Sequence, residues 1–199
     1  MKGEKKILWF LGAFTLFLSA CGANVQNMAK GPAKLDLGDP FIAEAAAETA
    51  SAVFVGNFKT NFDKNPKTRA TNIALAASAI NGAVIKPGEV FSFNNAVGST
   101  TADKGYKKAK IFVNGREKEG FGGGICQVSS TLFNAAQEAG MEIVERHPHS
   151  KEVKYVAKGH DAAVTPGSID FKFKNIKDYS VQIEANATDR EISVGIRKV

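Results

Sequence analysis

Two spacings of apolar residues alternate along the chain. From Thr71 to Ala83, Ile73, Ala76, Ala77, Ile80 and Ala83 fall on one helical face, and Gly82 marks the end. The alanine-rich stretch from Ala43 to Ala52 also predicts helix. Past Cys126, residues Val128, Leu132, Ala135, Ala136 and Ala139 return at helical intervals, so a helix begins near the cysteine. Extended segments are predicted at 52–60 around Val53, Val55 and Phe58, at 90–93 after the Pro87-Gly88 turn, and at 109–113. Further strands are predicted at 141–146, 153–157, 169–174, 180–186 and 191–197, where Ile192, Val194 and Ile196 alternate with polar residues. Gly120–Gly124 reads as a loop, and no internal repeat is visible. The mixture predicts an α+β fold, one domain with a mixed or antiparallel sheet and a central helix starting at the cysteine.

The beginning of the chain follows another pattern. Lys2, Lys5 and Lys6 precede an apolar run from Ile7 to Leu18, short for a bilayer span and suited to the core of a signal peptide. The run ends in Leu18-Ser19-Ala20-Cys21-Gly22, the pattern of a bacterial lipobox. Cys21 is therefore expected to be lipidated and to hold the protein on the outer face of the cytoplasmic membrane. An uncleaved anchor would change the attachment and not the compartment. Residues 22–40, punctuated by Gly22, Gly31, Pro32, Gly38 and Pro40, read as a linker. The expected organisation is a signal at 1–20, a lipidated start and lead-in at 21–51, and a globular domain at 52–199.

With Cys21 lipidated, Cys126 has no cysteine to pair with in an oxidising compartment. A lone cysteine is often only a small buried hydrophobe. Here the glycines of Phe121-Gly122-Gly123-Gly124-Ile125-Cys126 let backbone approach a substrate, and a helix start favours a thiolate. Both point to acyl transfer. The formal charge of +6 becomes +4 if residues 1–20, with three lysines and one glutamate, are removed. That balance suits anionic lipids and wall polymers. The lysines are scattered, without the basic and aromatic stripe of a nucleic-acid surface, and no nucleic-acid partner is expected.

A cysteine nucleophile needs a base. The three histidines are His147, His149 and His160. Extended backbone around Pro148 would point His147 and His149 to one face, and Asp161 or Asp170 could orient a ring. Surface loops also carry histidines without chemical purpose. Zinc is weakly supported, because neither His-Glu-x-x-His nor paired Cys-x-x-Cys occurs, and no metal or cofactor is expected.

Several runs together resemble the VanW family: Pro87-Gly88-Glu89, Phe91-Ser92-Phe93-Asn94, Gly98, Gly105-Tyr106, Ala109, Gly122 through Leu132, Glu145-Arg146, His149-Ser150, Tyr155, Gly159 and Asp161-Ala162. The resemblance covers about residues 52 to 199. It implies cell-wall chemistry linked to glycopeptide resistance, and an L,D-transpeptidase that uses a cysteine to join peptidoglycan stem peptides through diaminopimelate residues. Carried over, Cys126 is the nucleophile, His149 the base with His147 second, and Asp161 orients the base or binds the donor. Backbone amides near Gly124, Cys126 and Gln127 would hold the oxyanion. Arg146 would bind a stem carboxylate or remain a solvated arginine; Gln127 and Ser129 would touch substrate or cap the helix; Tyr155 would line the site or belong to the core. Ala157 and His160 depart from the family pattern. A hydrolase on the same site and a non-catalytic wall-binding lipoprotein are the alternatives.

Overall fold

A computed structural model describes residues 53–63, 66–113 and 116–199. Strand β1 (Phe54–Asn61) leads into helix α1 (Lys67–Ile80), then β2 (Val84–Ile85), β3 (Val90–Ser92) and the short helix α2 (Phe93–Val97). A 3-10 turn, Ala102–Lys104, precedes the hairpin of β4 (Lys108–Val113) and β5 (Arg116–Phe121). Helix α3 (Ile125–Glu138) follows, then β6 (Glu142–Glu145), β7 (Lys172–Lys174), β8 (Val181–Ala187) and β9 (Glu191–Lys198).

The architecture is α+β with antiparallel sheets. The largest has the order β1-β9-β8-β2 and a smaller one the order β3-β7-β6. One face of the large sheet is buried, because Ile192, Val194 and Ile196 of β9 and Val181 and Ile183 of β8 all point inward. Against them lie Ile73, Ala76, Ala77 and Ile80 of α1 and Val128, Leu132, Ala135 and Ala136 of α3. Small residues let α3 sit very close to β1. A Cβ added to Gly56 would lie 2.4 Å from the Ala135 carbonyl oxygen and 2.8 Å from Ala139 Cβ. Phe171 and Phe173 extend the core toward the smaller sheet, with Phe133 of α3 edge-on to Phe171 at 5.7 Å.

Three local readings need correction. The segment 153–157 is irregular rather than a strand. It has no strand neighbour, and its alternation instead turns Tyr155 into the site. The strand at 90–93 stops at Ser92, whose hydroxyl accepts the Asn95 N–H at 3.1 Å and starts α2 at Phe93. Strand β5 had been read in part as loop. Its residues, Arg116-Glu117-Lys118-Glu119-Gly120-Phe121, are largely exposed, so no buried alternation marked it. The signal, Cys21, the linker and the alanine-rich stretch lie outside the described residues.

Candidate active site

The glycine run is held by a buried asparagine. Asn72 of α1 donates from Nδ2 to the carbonyls of Lys107, at 2.9 Å, and Gly123, at 3.0 Å, and its Oδ1 accepts the Lys107 N–H at 2.8 Å. Gly123 leaves no room for a side chain, since a Cβ would meet the Lys110 carbonyl oxygen at 2.5 Å. Gly124 is the N-cap of α3, at a φ of 114° that favours glycine. Cys126 therefore enters the first turn of α3 on backbone fixed from two sides.

Cys126 is half-buried. Its Sγ donates toward the Val164 carbonyl oxygen at 3.5 Å, and its own backbone N–H faces the sulfur. Burial pushes the thiol pKa up, and the Asp161 charge adds to this; the Val164 contact and the Arg69 charge work against it. The expectation of a thiolate stabilised at rest by the helix start is thus corrected. Desolvation outweighs the favourable partners, and the resting group is a thiol.

His149 and Asp161 form a carboxylate–imidazole pair, whereas among the described residues Asp170 meets no histidine. Asp161 Oδ2 accepts both the backbone N–H and the ring Nδ1 of His149, each at 2.6 Å. Oδ1 accepts Arg146 Nη2 at 2.8 Å. Burial disfavours the Asp161 carboxylate, but the two His149 hydrogen bonds and the charges of His149 and Arg146 outweigh it and hold the pKa below the usual range. The His149 ring stands edge-on to Tyr155, with centroids 6.5 Å apart. Burial raises the Tyr155 phenol pKa and keeps it protonated. Cys126 Sγ and the His149 ring share no hydrogen bond; the 161–164 segment links them, with Val164 meeting the sulfur and Asp161 the ring.

Other anticipated residues have structural work. Arg146 Nε donates to the Asp161 carbonyl at 2.6 Å and Nη2 to the Gly159 carbonyl at 3.1 Å, while its guanidinium lies over Phe133. It braces Asp161 and is not a solvated arginine. Gln127 is buried, and its Nε2 donates to Thr60 Oγ1 at 2.8 Å and to the Asn61 carbonyl at 3.0 Å. The Gln127 N–H goes to the Gly124 carbonyl at 3.0 Å, so this amide is not a free oxyanion donor. Ser129 is fully buried and donates to the Ala162 carbonyl at 2.6 Å, docking the 161–164 segment on α3 rather than capping the helix. His147 turns to Glu145 at 3.1 Å, away from His149's partner. His160 pairs with Asn134 at 2.8 Å, and Asp170 receives the Ser92 hydroxyl and the Asn94 N–H. Among the described residues, no three His, Cys, Asp or Glu side chains converge to hold a metal.

Sequence reading missed Arg69 and Asn72. Arg69 lines a cleft of about 230 Å³ with Asn61, Phe62, Asp63, Gln127, Lys154 and Tyr155. Neither residue stands out in the chain, because one lies at the start of α1 and the other on its buried face, remote in sequence from Cys126. A larger concavity, about 680 Å³, lies on the opposite, outer face of the large sheet, around Asn57, Lys59, Gln182 and Ser193. It holds neither Cys126 nor a histidine and contributes nothing to this chemistry.

Comparison with known proteins places this geometry in context. The family model described as VanW like protein matches residues 68–197. An uncharacterized protein of Bacillus subtilis (strain 168), YoaR, is 44% identical over 160 residues, which is 78% of this chain and 53% of YoaR. The vancomycin B-type resistance protein VanW of Enterococcus faecalis (strain ATCC 700802 / V583) is 33% identical over 166 residues, 78% of this chain and 58% of its own. The chain thus spans somewhat more than half the length of these relatives. No solved structure matches it.

Proposed function

Because this chain belongs to the VanW-like protein family, we propose that it is a cell-wall enzyme, a cysteine L,D-transpeptidase acting on peptidoglycan stem peptides. The observation that carries the reading is that one segment, 161–164, touches both groups: the Val164 carbonyl meets Cys126 Sγ at 3.5 Å, and Asp161 holds His149 and Arg146. The resistance role in the name of the Enterococcus relative supports a wall substrate. The basic start, apolar run and Leu18-Ser19-Ala20-Cys21 box support an extracytoplasmic protein held to the membrane by lipid on Cys21.

The raised thiol pKa gives the base a specific task. His149 accepts the Cys126 proton as the sulfur attacks, instead of resting in a preformed ion pair. Asp161 fixes the ring through Nδ1, which leaves Nε2 as the proton acceptor. The sulfur bonds to the carbonyl carbon that precedes a terminal D-alanine. The C–N bond breaks, and D-alanine leaves as the amine with the proton from His149. The side-chain amine of a neighbouring stem then attacks the thioester, loses a proton to His149 and releases the thiol. Of the amides considered for the oxyanion, those of Gly124 and Cys126 serve, since the Gln127 N–H is already engaged.

Mass spectrometry of the full-length chain with purified disaccharide tetrapeptides, beside Cys126→Ala, tests the reading. Cross-linked dimers lacking D-alanine, lost in the variant, support it. Cleaved monomers alone indicate a hydrolase on the same residues. No change in either sample leaves a wall-binding lipoprotein.

A further inference from the structure

The guanidinium of Arg69 is held in place, and among the described residues no carboxylate pairs with it. Its Nη2 donates to Gln127 Oε1 at 2.6 Å, and Gln127 is itself pinned by Thr60 and Asn61. Phe62 lies under the group, 5.8 Å from ring centroid to Cζ. Among the described residues no carboxylate comes within 4.0 Å of Arg69; Asp63 contributes only its field. Burial lowers the Arg69 pKa, opposed by Tyr155, Cys126 and Asp63, so the charge is partly desolvated without compensation from an ion pair.

Its place is equally specific. A Cβ on Gly124 would lie 3.1 Å from Arg69 Cγ, so the arginine stem rests directly on the N-cap of α3, two residues from the nucleophile. The head of the side chain lines the cleft with Tyr155 and Lys154, and Lys154 adds a second cation. A guanidinium with unspent donors, fixed beside a cleft, matches a carboxylate, which it can bind through two parallel hydrogen bonds.

We propose that Arg69 is the substrate-carboxylate residue of this site, and that it selects acyl donors ending in a free α-carboxylate one residue beyond the carbonyl that Cys126 attacks. The proposal rests on the acyl-transfer reading for the identity of that carbonyl. It deepens that reading by naming the side chain that recognises the terminal carboxylate of the leaving residue. An internal bond offers no carboxylate to Arg69 at that place. Arg146, for which the sequence left open carboxylate binding or a solvated position, is committed to Asp161 and Gly159.

Binding isolates the claim from turnover. In full-length Cys126→Ala protein, a tetrapeptide stem with a free terminal carboxylate is titrated beside the same peptide as its terminal amide. The acid binds about 10–100-fold more tightly than the amide, the range for a charge-assisted pair. Adding Arg69→Gln brings the ratio close to unity, while Arg69→Lys keeps part of the preference; thermal melts confirm that both fold. An unchanged ratio in Arg69→Gln overturns the proposal. So does failure of the folded Cys126→Ala protein to bind either peptide, or competition by inorganic phosphate as strong as that of the acid. If wild type turns over stems without an acid preference, only the Arg69 assignment falls. If the Arg69-dependent preference is present but wild type makes no product, only the transferase falls.

Discussion

Asp161 receives His149 twice on one oxygen, once from the backbone N–H and once from ring Nδ1, each at 2.6 Å. This double contact sets both the position of the loop and the tautomer of the ring. The substitution Asp161→Asn keeps the shape but presents an amide to Nδ1 and removes the charge that pairs with Arg146, which stays on the Asp161 and Gly159 carbonyls. We expect transpeptidation to fall by about 10²–10⁴-fold, the range for a lost orienting carboxylate, with little change in substrate binding. Rates of dimer formation against substrate concentration check it; an effect confined to KM would contradict the orienting role.

Burial around Cys126 predicts how the free thiol labels. Its pKa is displaced upward from the ordinary thiol value, so the thiolate is scarce at neutral pH. The rate of iodoacetamide labelling should climb steadily into the alkaline range, without a plateau near neutrality. Arg69 opposes this displacement, so Arg69→Gln should move the curve further toward alkaline pH. A plateau below about pH 7, below the ordinary thiol range, would mean a preformed ion pair and a different proton path.

The scaffold was far more legible than the site. Periodicity placed α1 within a few residues, because Ile73, Ala76, Ala77 and Ile80 are all buried against the sheet. It also placed β9, where the buried Ile192, Val194 and Ile196 alternate with Ser193 and Arg197 around Gly195. It placed β4 too, at 109–113, but its hairpin partner β5 escaped because a largely exposed strand carries little hydrophobic signal. Within the site, the glycine–cysteine run and His149-Ser150 pointed to Cys126 and His149, the reacting groups of the proposed reaction. Their roles were misjudged wherever a polar residue of the motif serves packing. Ser129 and Gln127 are buried and bonded to protein, and Arg146 braces a carboxylate. Spacing along one chain cannot separate a polar side chain that meets substrate from one that meets a neighbouring carbonyl. Arg69 was hidden for the related reason that α1 reaches α3 only after folding.

Asn72 couples the first helix to the glycine loop, so its removal should damage stability and catalysis together. In Asn72→Ala the Lys107 N–H loses its acceptor, and the Gly123 and Lys107 carbonyls lose a donor. A cost of about 1–3 kcal/mol follows from the buried groups left unpaired. Urea unfolding measures it. Activity should fall in the fraction that remains folded, since the loop carrying Gly124 is no longer held; full activity in a destabilised protein would show that the loop holds itself.

Glu145 gives a pH signature away from the site. The hydrogen bond from Lys172, the Asp170 N–H and His147 hold its pKa down at about 2, against some opposition from burial. A carboxylate whose pKa is lower when folded stabilises the protein above its unfolded value, and that stability disappears as pH falls through the folded value. The loss should therefore develop between about pH 4.5 and about pH 2. Melting curves of Glu145→Gln should depend less on pH in this window and converge with wild type at its acid end. Parallel profiles would show that Glu145 is as ionisable unfolded as folded.

Gly56 makes the sharpest structural prediction, because its substitution has nowhere to go. A Cβ there would lie 2.4 Å from the Ala135 carbonyl oxygen, 2.5 Å from the Ala139 nitrogen and 2.8 Å from Ala139 Cβ. All three belong to the end of α3, and two are backbone atoms, so no side-chain rotation relieves the overlap. Either β1 leaves the sheet edge or α3 tilts away, and overpacking of this kind costs about 1–3 kcal/mol. Gly56→Ala should lower the urea midpoint accordingly. Tilting α3 also moves Cys126, at the other end of the same helix, so activity should fall more than the loss of folded protein explains. The compensating variant Gly56→Ala with Ala139→Gly removes the Cβ–Cβ overlap but leaves the backbone contacts, and should recover only part of the stability. Full recovery would mean that the side chain of Ala139, and not the helix backbone, sets the spacing between β1 and α3.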